Sequence, residues 1–248
     1  MIDPTQPWSC EGGDAGVLLL HGFTGNPASM RPLATALAEA GFAIELPLLP
    51  GHGTRWRDMA CTTWQDWARG AIEALGRLQA RTEAQVVVGL SAGGTLTLHL
   101  AAAQGDTLSG IVLINPSLFS LDPRLRLLPM LRRVVPCLPS FGDDIAKQGV
   151  TERAYAQVPL NALYSLTQLW WLVRQRLAEV KTPVLVLTSR RDHVVEPENS
   201  AAVLAGISST DVEQVWLERS YHVATLDYDA ELIAERTTAF VMRVTHCR

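Results

Sequence analysis

The five residues Gly89-Leu90-Ser91-Ala92-Gly93 constrain this chain more than any other stretch. They follow the apolar run QVVV and open an Ala/Leu-rich segment over 92–103, so a buried strand must pass into a helix through a very sharp turn. A serine at that turn projects its hydroxyl from the edge of a sheet. The residues two before and two after it must be small, because the turn brings their backbones together. The new helix also aims its first amides at the place where negative charge would develop. The pattern is that of an exposed nucleophile, and it requires a sheet to carry it.

The rest of the chain supplies such a sheet. AGVLLLHG (15–22), FAIELPLLP (42–50), QVVVGL (85–90), SGIVLIN (109–115), TPVLVLTS (182–189) and VEQVWLE (212–218) are strand candidates. Their apolar centres are those expected of parallel strands covered on both faces. Helical patterns lie between them. PASMRPLATALAEAG (27–41) places Met30, Leu33, Ala34, Leu37 and Ala38 on one face and stops at Gly41. A helix from Thr63 to Leu78 has a capping-box signature in Thr63 and Asp66 and an apolar stripe of Trp67, Ile72, Leu75 and Leu78. Further helices are expected at 92–103, 197–206 and 229–243. Alternating strands and helices give an α/β fold with a mostly parallel central sheet flanked by helices.

Between Pro116 and Lys181 the rhythm stops. No convincing strand occurs there, but prolines and helix-like pieces such as LYSLTQLWWLVRQRLAEV (163–180) do. About 65 residues is too long for a plain connection. The expected organisation is one structural unit with its core at 1–116 and 181–248. Residues 117–180 are a small helical cap inserted between two strands, over the sheet's carboxyl edge. Trp170 and Trp171 are expected in the interior of this cap.

Bulk properties narrow the functional classes. A length of 248 residues suits one α/β domain, and a net charge of −4 argues against nucleic acid, which needs a concentrated basic face. Arg124, Arg126, Arg132 and Arg133 form the nearest thing to a basic cluster, and they lie among Leu and Pro residues. Such a mixture reads first as a solvated face of the cap, and it also allows transient contact with a lipid interface. The four cysteines, Cys10, Cys61, Cys137 and Cys247, are dispersed, which suggests a reducing compartment and no structural metal. The N-terminus lacks the basic and apolar regions of a signal peptide, and no apolar run approaches the ~18 residues of a membrane span. A cytoplasmic location is expected, without stable membrane insertion.

A serine on such a turn is a poor nucleophile at neutral pH unless a base and an orienting carboxylate accompany it. In the α/β-hydrolase fold, these partners follow the serine in the order acid, then His, at the ends of later strands. TPVLVLTS-RRD supplies Asp192 and VWLERSYH supplies His222. Of the six histidines, His21 and His52 precede the serine, His99 lies inside the following helix, His193 adjoins the acid and His246 is at the tail. Asp227 and Asp229 compete with Asp192 but follow His222, and are expected to cap the last helix. HGFTG (21–25) follows the first apolar strand, so the backbone N–H groups of Phe23 and Ala92 are the expected oxyanion donors.

HGFTGNPASMRPLA, LPGHGT, TTWQDW, GLSAGGTLTL, DHVVEPENS, GISST and SYHVATLDYDAELIAER together resemble the thermostable bacterial monoacylglycerol lipases and closely related carboxylesterases. The resemblance covers nearly the whole chain, densely over 15–116 and 181–242 and more thinly in the cap. It implies monoacylglycerol as substrate, with Ser91, Asp192 and His222 at the triad positions and Phe23 and Ala92 at the oxyanion positions. The family often has Met where Ala92 stands; a backbone donor tolerates the change, though the pocket wall becomes smaller. TERAY (151–155) is similar to the stretch where those lipases place a glutamate near the glycerol head group, which implies that role for Glu152.

The expected reaction is a two-step acyl transfer that needs no cofactor or metal. General carboxylesterase, thioesterase or carbon–carbon hydrolase activity uses the same elbow, and the residues alone separate these readings weakly. A dehalogenase is disfavoured because its elbow nucleophile is Asp. A binding protein that keeps the fold without turnover is disfavoured by the intact set of reacting groups.

Overall fold

The computed structural model describes residues 3–140 and 143–246. In chain order the strands are β1 (Trp8–Cys10), β2 (Ala15–Leu20), β3 (Ala43–Leu46), β4 (Ala84–Leu90), β5 (Gly110–Ile114), β6 (Cys137–Pro139), β7 (Gln157–Pro159), β8 (Val184–Ser189) and β9 (Val212–Leu217). The helices are α1 (Arg31–Glu39), α2 (Trp56–Met59), α3 (Trp64–Gln79), α4 (Ala92–Gln104), α5 (Leu128–Leu131), α6 (Leu160–Arg176), α7 (Glu198–Gly206) and α8 (Ala230–His246).

The central sheet has seven strands in the order β1-β3-β2-β4-β5-β8-β9. All its pairs are parallel except β1 with β3. Alternate side chains enter two separate cores. Leu18, Leu20, Val87, Ile111 and Val186 pack with α3, α4 and α6, whereas Val17, Leu19, Val88, Val112 and Leu187 pack with α1 and α8. Each fully buried Leu or Val contributes about 1.5–3 kcal/mol, so burial on both faces selects the apolar runs seen in the sequence.

Strand register decides where the chemistry can sit. Leu20 pairs with Gly89, Leu90 with Ile114, Ile114 with Leu187 and Ser189 with Leu217. The loops that follow β2, β4, β5, β8 and β9 therefore open on one edge. β2 connects towards β3 on one side while β4 lies on its other side. The chain thus reverses direction between β2 and β4, and open α/β sheets bind ligands in the crevice at such a point.

Several expectations need correction. β1 carries no apolar run to announce it and exists through antiparallel pairing with β3. β9 is not continuously buried: at the end of the sheet its residues alternate between exposed and half-buried up to Leu217, as one face is better covered than the other. Ile72 is exposed, and Ala68, Ala71 and Ala74 fill the buried face of α3 instead. At the start of that helix, the Asp66 carboxylate accepts the Thr63 N–H at 2.9 Å, as the capping signature requires.

The insertion is not wholly helical. β6 and β7 form an antiparallel ribbon, invisible in the sequence because each strand is three residues long and proline-bearing. α6, expected over the sheet edge, packs along α4 and α3 and contributes Leu166, Leu169, Trp170 and Val173 to the core. Trp170 is buried and donates from Nε1 to Ser117 Oγ at 3.1 Å. Trp171 points the other way and is 59% exposed, contrary to expectation. Cys10, Cys61 and Cys137 are free thiols; Cys247 lies outside the described residues, as does the side chain of His246.

Candidate active site

Ser91 joins β4 to α4 with φ 56° and ψ −118°, a region that costs a non-glycine residue about 1–3 kcal/mol. Its flanks explain the pattern. A Cβ on Gly89 would lie 2.3 Å from the Gly93 carbonyl oxygen, and one on Gly93 would lie 2.2 Å from that of Leu20. Only glycine fits either position. Ser91 N–H is anchored on the Ile114 carbonyl at 2.9 Å, which ties the turn to the end of β5.

The loop after β2 lies against the serine. A Cβ built on Gly22 would sit 3.4 Å from Ser91 Cβ. Thr24 is held at φ 62°, and its carbonyl accepts the Tyr155 N–H at 3.1 Å. Asn26 donates to the Arg153 carbonyl at 2.9 Å. The insertion therefore braces the loop that carries Phe23. Among the described residues, no backbone acceptor engages the N–H groups of Phe23 or Ala92.

His222 and Asp192 meet directly. Asp192 Oδ2 lies 2.7 Å from His222 Nδ1, and both side chains are nearly enclosed. The other oxygen of Asp192 accepts the N–H groups of Val194 at 2.9 Å and Val195 at 2.7 Å, which fixes the carboxylate's orientation. Burial alone would lower the pKa of His222. The carboxylates of Asp192, Glu152 and Asp144 outweigh it, and the net position is above the ordinary 6.5. The other buried histidines behave oppositely: desolvation pushes His21 down to about 4 and His52 to about 3. His21 Nε2 is occupied in accepting the Leu49 N–H. Among the described residues no hydrogen bond links Ser91 Oγ to His222, and such bonds are often long before substrate binds.

Several residues that frame the site were not anticipated. Asn115 donates from Nδ2 to the His222 carbonyl at 2.8 Å and to Ser189 Oγ at 2.9 Å. Asp144 Oδ2 accepts the His222 N–H at 3.0 Å. Asp227 and Asp229, expected as helix caps, also hold the histidine loop with their carboxylates. Asp229 accepts the N–H groups of Arg219 and Ser220, and Asp227 accepts that of Tyr221, each at 2.9 Å. They also stand just ahead of α8, where the Asp227 carbonyl accepts the Ala230 N–H at 3.2 Å and the Asp229 carbonyl that of Ile233 at 2.9 Å. The only local sign of these roles was the density of Asp residues around the histidine loop.

Glu152 faces the same crevice. A Cβ on Gly25 would lie 2.6 Å from Glu152 Oε1, so the carboxylate rests on the loop after β2. Desolvation raises its pKa to about 7; His222 opposes the shift and Asp143 adds to it.

A serine elbow, a neighbouring amide loop and a His–Asp pair on the carboxyl edge of this sheet define an α/β-hydrolase. The Hydrolase_4 family model, described as serine aminopeptidase, S33, matches residues 13–229, and the chain belongs to that family. It is 42% identical to the thermostable monoacylglycerol lipase of Bacillus sp. (strain H-257), over 97% of this chain and 95% of that protein. It is 27% identical to a carboxylesterase of Bacillus subtilis (strain 168), over 96% of this chain and 97% of that protein. A solved structure from work on LipS and LipT, two metagenome-derived lipolytic enzymes, superposes with a TM-score of 0.94 at 41% identity, covering 98% of this chain and 99% of that one.

Proposed function

We propose that Ser91, His222 and Asp192 act as a catalytic triad and that the protein hydrolyses monoacylglycerols to glycerol and free fatty acid. The protein is a carboxylic ester hydrolase. The observation that carries the mechanism is the 2.7 Å pairing of His222 with Asp192 on the sheet edge that bears the Ser91 elbow.

His222 Nε2 takes the Ser91 hydroxyl proton as Oγ attacks the ester carbonyl. The N–H groups of Phe23 and Ala92 receive the developing oxyanion, an interaction worth about 3–4 kcal/mol per donor. Collapse breaks the bond to the alcohol, which leaves with the proton from His222. Water then loses a proton to the same nitrogen and attacks the acyl-enzyme; collapse breaks the bond to Ser91 Oγ, which recovers the proton from His222 as the fatty acid leaves. Asp192 holds the tautomer and offsets the imidazolium charge.

Glycerol as the leaving alcohol is supported by Glu152 and by the relative at 42% identity. No hydrogen-bond donor among the described residues engages the Glu152 carboxylate, which leaves it free to accept from two glycerol hydroxyls. Residues 117–180 act as the cap in this reading and make transient contact with lipid. Leu121, Leu127, Met130 and Val134 are exposed on it, with Arg124, Arg126 and Arg133 between them. Among the described residues no helix is long and apolar enough to cross a membrane. The free thiols support a cytoplasmic setting.

The test compares mono-, di- and triacylglycerols and p-nitrophenyl esters, with Ser91→Ala in parallel. Monoacylglycerol turnover should dominate and should vanish in the variant. Equal rates on diacylglycerols would reject the substrate; retained ester turnover by Ser91→Ala would reject the nucleophile.

A further inference from the structure

The segment 144–147 of the insertion is bonded to the loop that carries His222. Asp144 Oδ2 accepts two backbone N–H groups, from His222 at 3.0 Å and from His193 at 3.1 Å. These belong to the base and to the neighbour of Asp192. Its Oδ1 lies 2.8 Å from His193 Nδ1. The Asp144 carbonyl accepts the Val223 N–H at 3.1 Å. On the next two residues, the Ala146 and Lys147 N–H groups donate to Asp227, the same carboxylate that accepts from Tyr221. One short piece of the insertion thus fixes the backbone on both sides of the His222–Asp192 contact.

We propose that Asp144 is a positioning residue for catalysis, holding the His222 and Asp192 loops in register through their backbone N–H groups and adding negative charge beside the imidazole. This rests on His222 serving as the base. The geometry has two separable consequences. A carboxylate bridging the two loops prevents the imidazole from shifting relative to Ser91, and a shift of about 1 Å costs roughly 100-fold in rate. The charge itself favours the imidazolium. The groups that act on His222 are Asp192, Glu152 and Asp144. His193 sits against Asp144, and Asp143 acts on Glu152. Asp144 differs from Glu152 in having its carboxylate occupied by backbone donors, so it has no role in holding substrate.

The experiment uses the full chain with p-nitrophenyl acetate, which has no glycerol head group. Asp144→Ala should lower kcat by roughly 10- to 100-fold with little change in KM, because the loops lose their shared acceptor. Asp144→Asn retains an acceptor oxygen without the charge. It should recover most of kcat, with the acidic limb of kcat/KM displaced to lower pH. Thermal melting reports whether each variant folds. If Asp144→Ala does not fold, the pH limb of Asp144→Asn decides alone.

The proposal is overturned if Asp144→Ala keeps kcat within about twofold of wild type, if Asp144→Asn is no better than Asp144→Ala, or if its limb does not move. Labelling of wild-type Ser91 by a fluorophosphonate and its Ser91→Ala control keep the two levels apart. An unlabelled wild type without ester turnover would defeat the triad itself. A labelled, active wild type with unaffected Asp144 variants would defeat this inference alone.

Discussion

Asn115, the residue after β5, donates a 2.8 Å hydrogen bond to the carbonyl of His222, 107 positions further along the chain. Its side-chain oxygen accepts the Ser189 N–H at 2.7 Å, so one amide ties together the ends of β5 and β8 and the histidine loop. Asn115 adopts φ 44°, a backbone conformation that Asn tolerates better than most residues.

Asn115→Ala should therefore cost stability and rate together. The buried Ser189 N–H and His222 carbonyl lose their partner, at about 1–3 kcal/mol for each group left unsatisfied. Denaturant titration should show a lower midpoint with an unchanged slope, and kcat for a simple ester should fall. A midpoint equal to wild type would show that water or a neighbour replaces the amide.

The pH dependence of kcat/KM follows from the sign of the His222 shift. As the proposed base, His222 works only when neutral, and its carboxylate neighbours raise its pKa from the ordinary 6.5. Activity should thus decline as pH falls, with the midpoint of that limb on the alkaline side of 6.5. Glu152→Gln removes a negative charge that favours the imidazolium, so the limb should move to lower pH. The same variant should raise KM for monoacylglycerol while leaving KM for p-nitrophenyl acetate nearly unchanged. A shift of the limb without the KM effect would separate Glu152's electrostatic influence from head-group recognition.

The exposed face of the insertion predicts a salt-dependent association with anionic vesicles. Replacing Arg124, Arg126 and Arg133 by Glu should abolish co-sedimentation with phosphatidylglycerol vesicles. Hydrolysis of a soluble short-chain ester should persist. Each basic residue near an anionic surface contributes about 1 kcal/mol, so the loss should be evident at low salt. Equal sedimentation of both forms would remove the interfacial role.

Local patterns made the sheet and the elbow legible. Gly89 and Gly93 are demanded by contacts within one turn and its neighbouring strand, so the spacing of three small residues announced Ser91 in advance. Asp192 and His222 were legible as candidates because parallel strands deliver their loops to a common edge. Asp144, Asn115, Asp227 and Asp229 had no comparable signal. They act through side-chain bonds to backbone N–H and C=O groups, and any sequence at positions 219–222 offers the same backbone. β1 and the β6–β7 ribbon were missed for a related reason: three-residue strands are defined by their partners, not by their own periodicity. Glu152 came from resemblance alone. The sequence offered a charged residue in a cap, and only the fold shows the carboxylate resting on Gly25.

The carboxylates of Asp227 and Asp229, just ahead of α8, shape the backbone of 219–221. The Ser91 elbow is complete once β5 supplies the Ile114 carbonyl that anchors it. The proposed base, His222, has its loop fixed only once Asp227 and Asp229 have followed it in the chain. With His222 as the base, a nascent chain that already displays Ser91 would therefore lack hydrolytic competence until residues 219–229 have been made.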